Sequence, residues 1–366
     1  MFYDWKLIRP DAVRALQDPK VRENYPRYIS ILEGRKFPYF QLAKRFYVEY
    51  DPKDSVDDLL KQHDRLVEEF FKIIKEDEDS LSQEKIQDTN LLSLKETIAW
   101  KLLENCQFCE RKCGVNRKKG NLGVCRAGVE METSSAFIHL GEEPEITPSY
   151  TIFTMGCNLE CVHCQNWTIA QWYEKGDRFS PQYLATQIDR AWGMGVRNVN
   201  LVGGEPTIWL HYWITVLKYV KANIPVFWNS NGIYSEITAD ILRGLADIVK
   251  IDFKYGNDEC AQKISKTPYN YVEVVRRNLR IAKKYSEVLI RVLVLPGHLN
   301  CCLRPILKYI KEDLGENVRV NVMFQYRPEY KVMKSNFEEL KRRLSNKEIM
   351  KVYEIVQQSG LRNVIF

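Results

Sequence analysis

The sequence predicts an α/β protein in which six parallel strands alternate with helices behind a helical N-terminal region. Three observations predict it. Short β-rich runs recur six times between residues 150 and 326. Amphipathic helical stretches fill the intervals between them. The first hundred residues carry apolar side chains at three- to four-residue spacing instead. Strand–helix alternation of this kind implies a parallel sheet built by right-handed crossovers. Six units fit an open, partial (β/α)6 barrel or a doubly wound sheet, and periodicity does not choose between them.

The elements follow in order. In VDDLLKQHDRLVEEFFKIIKED, the residues Leu59, Leu60, Leu66, Phe70, Ile73 and Ile74 form one apolar stripe. Lys75 to Gln87 is strongly polar and reads as a loop or an exposed helix end. LLSLKETIAWKLLENC is a second amphipathic helix that ends residues 1–104, the helical region, and delivers the chain to Cys106. Residues 105–149 form a cysteine-rich, metal-binding segment followed by a linker, GEEPEITPS, with two prolines. The β runs lie at 150–156, 196–204, 224–232, 247–254, 287–297 and 317–326, inside a unit spanning 150–330. Residues 331–366 read as a C-terminal helical segment, with LRNVIF as a possible last strand.

Composition narrows the class. With 45% hydrophobic and 28% charged residues among 366, the chain is ordinary for a globular protein. Its net charge of +6 permits a polyanionic partner without arguing for one. No run of about 18 apolar residues marks a membrane span, and MFYDWKLIRP lacks the layout of a signal peptide. A cytoplasmic protein is expected. Of ten cysteines, seven fall between Cys106 and Cys164; in an intracellular chain such density indicates metal ligands more often than disulfides.

TMGCNLECVHCQNW places Cys157, Cys161 and Cys164 at C-x3-C-x2-C, directly after the first β run. Chemistry in parallel α/β folds sits at the carboxyl ends of strands. Iron–sulfur cubanes are usually held by four cysteines; three leave one iron with an open position, the mark of a catalytic site. The alternative is zinc with His163 as fourth ligand, which the tight spacing disfavours. C-x3-C-x2-C at the end of the first of six βα units resembles the radical S-adenosylmethionine (SAM) superfamily over residues 150–330. That resemblance implies the partial barrel, a [4Fe–4S] cluster on the three cysteines, SAM on the open iron, and His163 near the adenine.

Further motifs fit in order. LVGGEPT resembles the family's GGE motif, in which Gly203, Gly204 and Glu205 hold the SAM amino group; two glycines let backbone approach a ligand closely, and a carboxylate accepts from an ammonium. Asn229, Ser230 and Asn231 of WNSNG are short polar groups suited to a ribose or a carboxylate, or to a capped turn. KIDFK resembles the Asp-x-Lys motif of glycyl-radical-enzyme activases. Asp252 and Lys254 share one strand face and either pair with each other or contact SAM. RVLVLPGH resembles the activase pattern of a basic residue before a Pro-Gly turn, making Arg291 and His298 candidates for the SAM carboxylate or the substrate. Cys260 reads as a buried thiol, while Cys301 and Cys302 stand near the presumed mouth.

A second group, Cys106, Cys109, Cys113 and Cys125, reads C-x2-C-x3-C-x11-C among glycines. The segment has little apolar material, so a metal would supply its stability: zinc or an auxiliary iron–sulfur cluster. With the GCNLxCVxCQNW loop after it, this motif resembles the pyruvate formate-lyase activating enzyme-like (PflX-like) group, over about 90–335. The short activases lack this preface.

The resemblance implies reductive cleavage of SAM to a 5′-deoxyadenosyl radical that abstracts hydrogen from a substrate, an activase-like oxidoreductase chemistry. The protein supplies orientation and electrostatics. A reductant protein such as ferredoxin or flavodoxin is implied. A protein or peptide substrate is the first expectation; RNA or a metabolite is the second, and a non-catalytic iron–sulfur scaffold the third. No membrane partner is expected.

Overall fold

The computed structural model describes residues 5–366; residues 1–4, where the sequence opens without a signal-peptide layout, lie outside the described residues. Nine strands form one sheet: β1 Glu132–His139, β2 Ser149–Thr154, β3 Asp177–Arg178, β4 Asn198–Gly203, β5 Val226–Ser230, β6 Ile248–Asp252, β7 Glu287–Leu293, β8 Arg319–Met323 and β9 Val364–Ile365. Their order is β3-β1-β2-β4-β5-β6-β7-β8-β9. From β2 onward every neighbouring pair is parallel. A doubly wound sheet reverses its order at a switch point. Here spatial order follows chain order from β1 through β9 apart from β3, which adds to the outer edge of β1, so the architecture is the partial barrel, open between the edges β3 and β9.

All six expected β runs are strands, and LRNVIF supplies β9. The strands β1 and β3 were not expected. β1 runs antiparallel to β2, and β3 antiparallel to β1. β5 is buried at every position, as parallel strands covered on both faces are. Helices follow the strands at Pro181–Gly193, Leu210–Tyr219, Glu236–Leu242, Tyr271–Tyr285 and Arg304–Leu314. One further helix, Asp258–Ser265, is capped by the Asn257 side chain, which accepts from the Cys260 N–H at 2.8 Å. The stripe helix spans Val56–Gln83, with a break at Asp77, so the polar stretch after Lys75 is largely a helix end.

The N-terminal region closes the lower end of the barrel. Tyr25, Tyr28 and Ile29 pack on Phe227, Ile248 and Leu289 at the amino ends of β5, β6 and β7. The Glu287 carboxylate accepts from the backbone N–H groups of Arg27 at 2.6 Å and Tyr28 at 2.9 Å. Burial pushes the Glu287 carboxyl up to about 8.

Residues 141–149 correct the linker expectation. Glu142, Glu143 and Glu145 are buried inside the barrel. Glu145 pairs with Arg319 at 2.7 Å, Glu143 accepts from Asn321 at 2.8 Å, and Arg291 binds both Glu142 and Glu143. The carboxylates enter because inward-facing strand residues neutralise them.

Candidate active site

The cluster loop leaves β2 at Gly156, whose φ is +85°. A Cβ there would lie 2.8 Å from the Cys125 carbonyl oxygen, and one on Gly204 only 2.0 Å from the Gly156 oxygen. The loops after β2 and β4 therefore touch backbone to backbone, which requires glycine at both positions. The helix Asp258–Ser265 holds the loop further on: Ser265 O accepts from Glu160 N at 3.0 Å, and Ile264 O from Val162 N at 2.9 Å.

Cys157, Cys161 and Cys164 open onto one cavity of about 650 Å³. It is also lined by His163, by Gly203 to Glu205, by Asn229 to Asn231 and by Asp252, Lys254 and Arg291. The structure thus brings the residues expected around SAM, His298 excepted, to one place at the carboxyl ends of the strands. Burial, above all, pushes the Cys157 thiol well above its ordinary value and the Cys164 thiol to about 12. Metal binding displaces such protons.

The Glu205 carboxylate is buried. Its Oε1 accepts from Ser230 Oγ at 2.7 Å and Thr207 Oγ1 at 2.5 Å, and its Oε2 from Asn231 N at 2.8 Å. Burial raises its pKa. A carboxylate oxygen accepts more than one bond, so Oε2 has capacity for a further donor. Asn231 Nδ2 donates to Asn158 Oδ1 at 2.7 Å and lies 3.7 Å from Cys157 Sγ.

On β6 and just beyond it, three charges alternate along the inner face: Lys250, Asp252 and Lys254. Asp252 binds Lys250 and, at 2.9 Å, Lys254. The two ammonium groups hold its carboxyl far below the usual range despite burial. Lys250 is fully buried, donates to Asn229 Oδ1 at 2.7 Å, and burial draws its pKa down to about 8. Sequence reasoning named Asp252 and Lys254 but missed Lys250, although the same two-residue period places it beside them. Arg291 lies in the cavity wall with its guanidinium engaged by Glu142 and Glu143. His298 does not line the cavity; its ring faces Cys260, Cys301 and Cys302.

The second cysteine group packs against the cluster loop. Arg111, between Cys109 and Cys113, donates from Nε to Asn158 O at 2.5 Å. Burial, with Cys125 and Cys106 as charged neighbours, raises the Cys109 thiol to about 12. Cys106 is buried and Cys113 exposed, so the group reaches from the interior to the surface.

These residues fit a cluster and SAM. The imidazole Nδ1 of His163 is buried without a hydrogen-bond partner in the cavity wall, and burial holds the ring neutral, with its pKa lowered to about 3. Its place in the cavity wall beside three thiols leaves that nitrogen free to meet a bound ligand.

Residues 151–310 match the radical SAM superfamily. The chain is 38% identical over 341 residues to the uncharacterized protein MJ0674 of Methanocaldococcus jannaschii, covering 92% of this chain and 97% of that one. It is 33% identical over 110 residues to mycofactocin maturase MftC of Mycolicibacterium smegmatis, covering 29% and 26%. Among solved structures, Streptococcus suis SuiB bound to precursor peptide SuiA aligns over 87% of this chain and 66% of that one, at 14% identity and a TM-score of 0.44. The chain belongs to the radical SAM superfamily. It is an enzyme of that class, and the family implies a [4Fe–4S] cluster and SAM. No helix among the described residues is long and apolar enough to cross a membrane.

Proposed function

We propose that this enzyme modifies a protein or peptide by radical SAM chemistry, with the cluster on Cys157, Cys161 and Cys164. The observation that carries the reading is one cavity in which those three thiols, the orphaned His163 Nδ1 and the Glu205 carboxylate converge. When bound, the cluster and SAM supply reductive cleavage of the sulfonium and a 5′-deoxyadenosyl radical that takes a substrate hydrogen.

The chain's own residues orient the ligand. Glu205, with Gly203 and Gly204 beside it, receives the SAM ammonium. His163 meets the adenine, and Asn229, Ser230 and Asn231 meet the ribose. Lys254 suits the carboxylate better than Arg291, because two glutamates already hold the Arg291 guanidinium. Asp252 keeps Lys254 charged and aimed.

The activase-like Asp252–Lys254 pair supports a protein or peptide target. Cys106, Cys109, Cys113 and Cys125 hold a second metal, zinc or an auxiliary cluster. A ferredoxin- or flavodoxin-type reductant supplies electrons. The cytoplasm, where thiols stay reduced, suits both cysteine groups.

The test is metal content and SAM cleavage together. Anaerobically reconstituted protein, reduced with dithionite, is expected to release 5′-deoxyadenosine. The Cys157→Ala/Cys161→Ala/Cys164→Ala variant is expected to lose about four irons, as befits one cubane, and all release. Release that persists in the variant sinks the assignment. Iron and zinc counts on a Cys106→Ser/Cys113→Ser variant decide the second metal. Tight, salt-dependent binding of tRNA in place of peptide binding would redirect the substrate reading to RNA.

A further inference from the structure

A third group of metal-binding side chains stands outside the cavity. Cys260 lies on the helix Asp258–Ser265, while His298, Cys301 and Cys302 lie on the turn after β7. One ligand atom from each falls within 4.8 Å of all the others. His298 Nδ1 sits 3.6 Å from Cys260 Sγ, 3.4 Å from Cys301 Sγ and 3.8 Å from Cys302 Sγ.

We propose that Cys260, His298, Cys301 and Cys302 form a structural zinc site that ties the helix after β6 to the turn after β7. Four arguments support it. Zinc bound at about 2.3 Å to sulfur and about 2.1 Å to nitrogen sets the nitrogen about 3.6 Å from each sulfur in a tetrahedron, and the three spacings scatter around that value. A cubane, with four irons between its thiolates, needs wider separation than this group has. The ligand set, three thiolates and one imidazole, is one that structural zinc uses.

The fourth argument is the support behind the ligands. His298 Nε2 lies 3.2 Å from Glu339 Oε1. With its N–H donated to that carboxylate, the ring presents the Nδ1 lone pair to the three sulfurs, the outer contact that orients zinc-bound histidines. Asn257 Nδ2 approaches Cys260 Sγ at 3.3 Å and donates to Cys301 O at 2.8 Å, holding both loops in register. Binding exchanges the three thiol protons for Zn²⁺, leaving a site of net charge −1.

The staple reaches the active site through the helix that carries Cys260. Its far end, Ile264 and Ser265, accepts two hydrogen bonds from the Cys157–Cys164 loop. Zinc thereby fixes the helix against which the cluster loop is seated. With all four positions filled by protein, the ion is closed to substrate.

The test uses the full chain, purified anaerobically under reducing conditions from zinc-supplemented medium, with zinc and iron measured by mass spectrometry. Cys260→Ser/Cys302→Ser is expected to hold one zinc fewer per chain than wild type. Because Cys301 is exposed, Cys301→Ser is the variant that keeps the fold, and it is expected to surrender that zinc to a chelator that leaves wild type loaded. In the Cys106→Ser/Cys113→Ser background, X-ray absorption at the zinc edge is expected to show three sulfurs and one nitrogen. Equal zinc in wild type and both variants overturns the proposal. So does loss of iron instead of zinc, or a wild-type mass two daltons low that marks a disulfide among these cysteines.

Discussion

At the amino ends of the strands, charged groups are spent on one another. Glu145 meets Arg319, and Glu287 meets two backbone N–H groups brought by the N-terminal segment. At the carboxyl ends, three thiols face one another across a cavity, and the His163 Nδ1 has no partner. Both ends bury polar groups at a cost of several kcal/mol when unpaired. The lower end recovers most of that cost within the chain, through Glu145–Arg319 and the Glu287 contacts, whereas at the upper end the three thiols and the His163 Nδ1 are left for what binds there. Substitutions below should therefore register in stability, and substitutions above in ligand binding.

The largest break in that contrast is Glu145→Ala. It strands a buried guanidinium, and breaking such a pair costs about 3–5 kcal/mol. Denaturant unfolding is expected to show that loss. An unchanged midpoint would mean that Asn363, which accepts from Arg319 at 2.7 Å, suffices.

A pH titration sharpens it next. The folded Glu287 value of about 8 lies above the ordinary 4.5, so the folded chain binds the extra proton between those values. Its contribution is full below pH 4.5 and is lost as pH rises to about 8, amounting to a few kcal/mol at most. Glu287→Gln should flatten the profile in that window; a wild-type profile already flat there would remove Glu287 as the group responsible.

The smallest expected effect is Glu205→Gln at the upper end. One amide oxygen replaces a carboxylate, and the charge offered to an ammonium is gone. A hydrogen bond to a charged group is worth about 1.5–3 kcal/mol, so SAM should bind about tenfold or more weakly to reconstituted protein. Equilibrium dialysis measures this, and equal affinity would move the ammonium elsewhere.

The six parallel strands were legible because each is a short, largely buried run separated from the next by a helix. β1 was not: Glu132–His139 is half exposed, without a continuous apolar signal. GEEPEITPS read as a linker because glutamate and proline look like surface locally. Its burial depends on Arg291 and Arg319, some 150 and 174 residues downstream. The cavity residues were legible because the motifs sit at strand ends, where the fold gathers them. Cys260, on a helix, and His298, on the turn after β7, stand 38 residues apart, and only the crossover geometry brings them together.

The clasp at the lower end bears on the order of synthesis. Tyr25 binds the carbonyl of Val288, 263 residues later, at 3.4 Å, and Asn363 donates to the carbonyl of Lys20 across 343 residues at 3.2 Å. The helices Pro19–Asn24 and Pro26–Leu32 therefore find their seat on Phe227, Ile248 and Leu289 only once β5, β6 and β7 are made. Contacts this far apart in sequence form slowly, so this segment is expected to dock after the strands it covers, as a stopper follows its vessel.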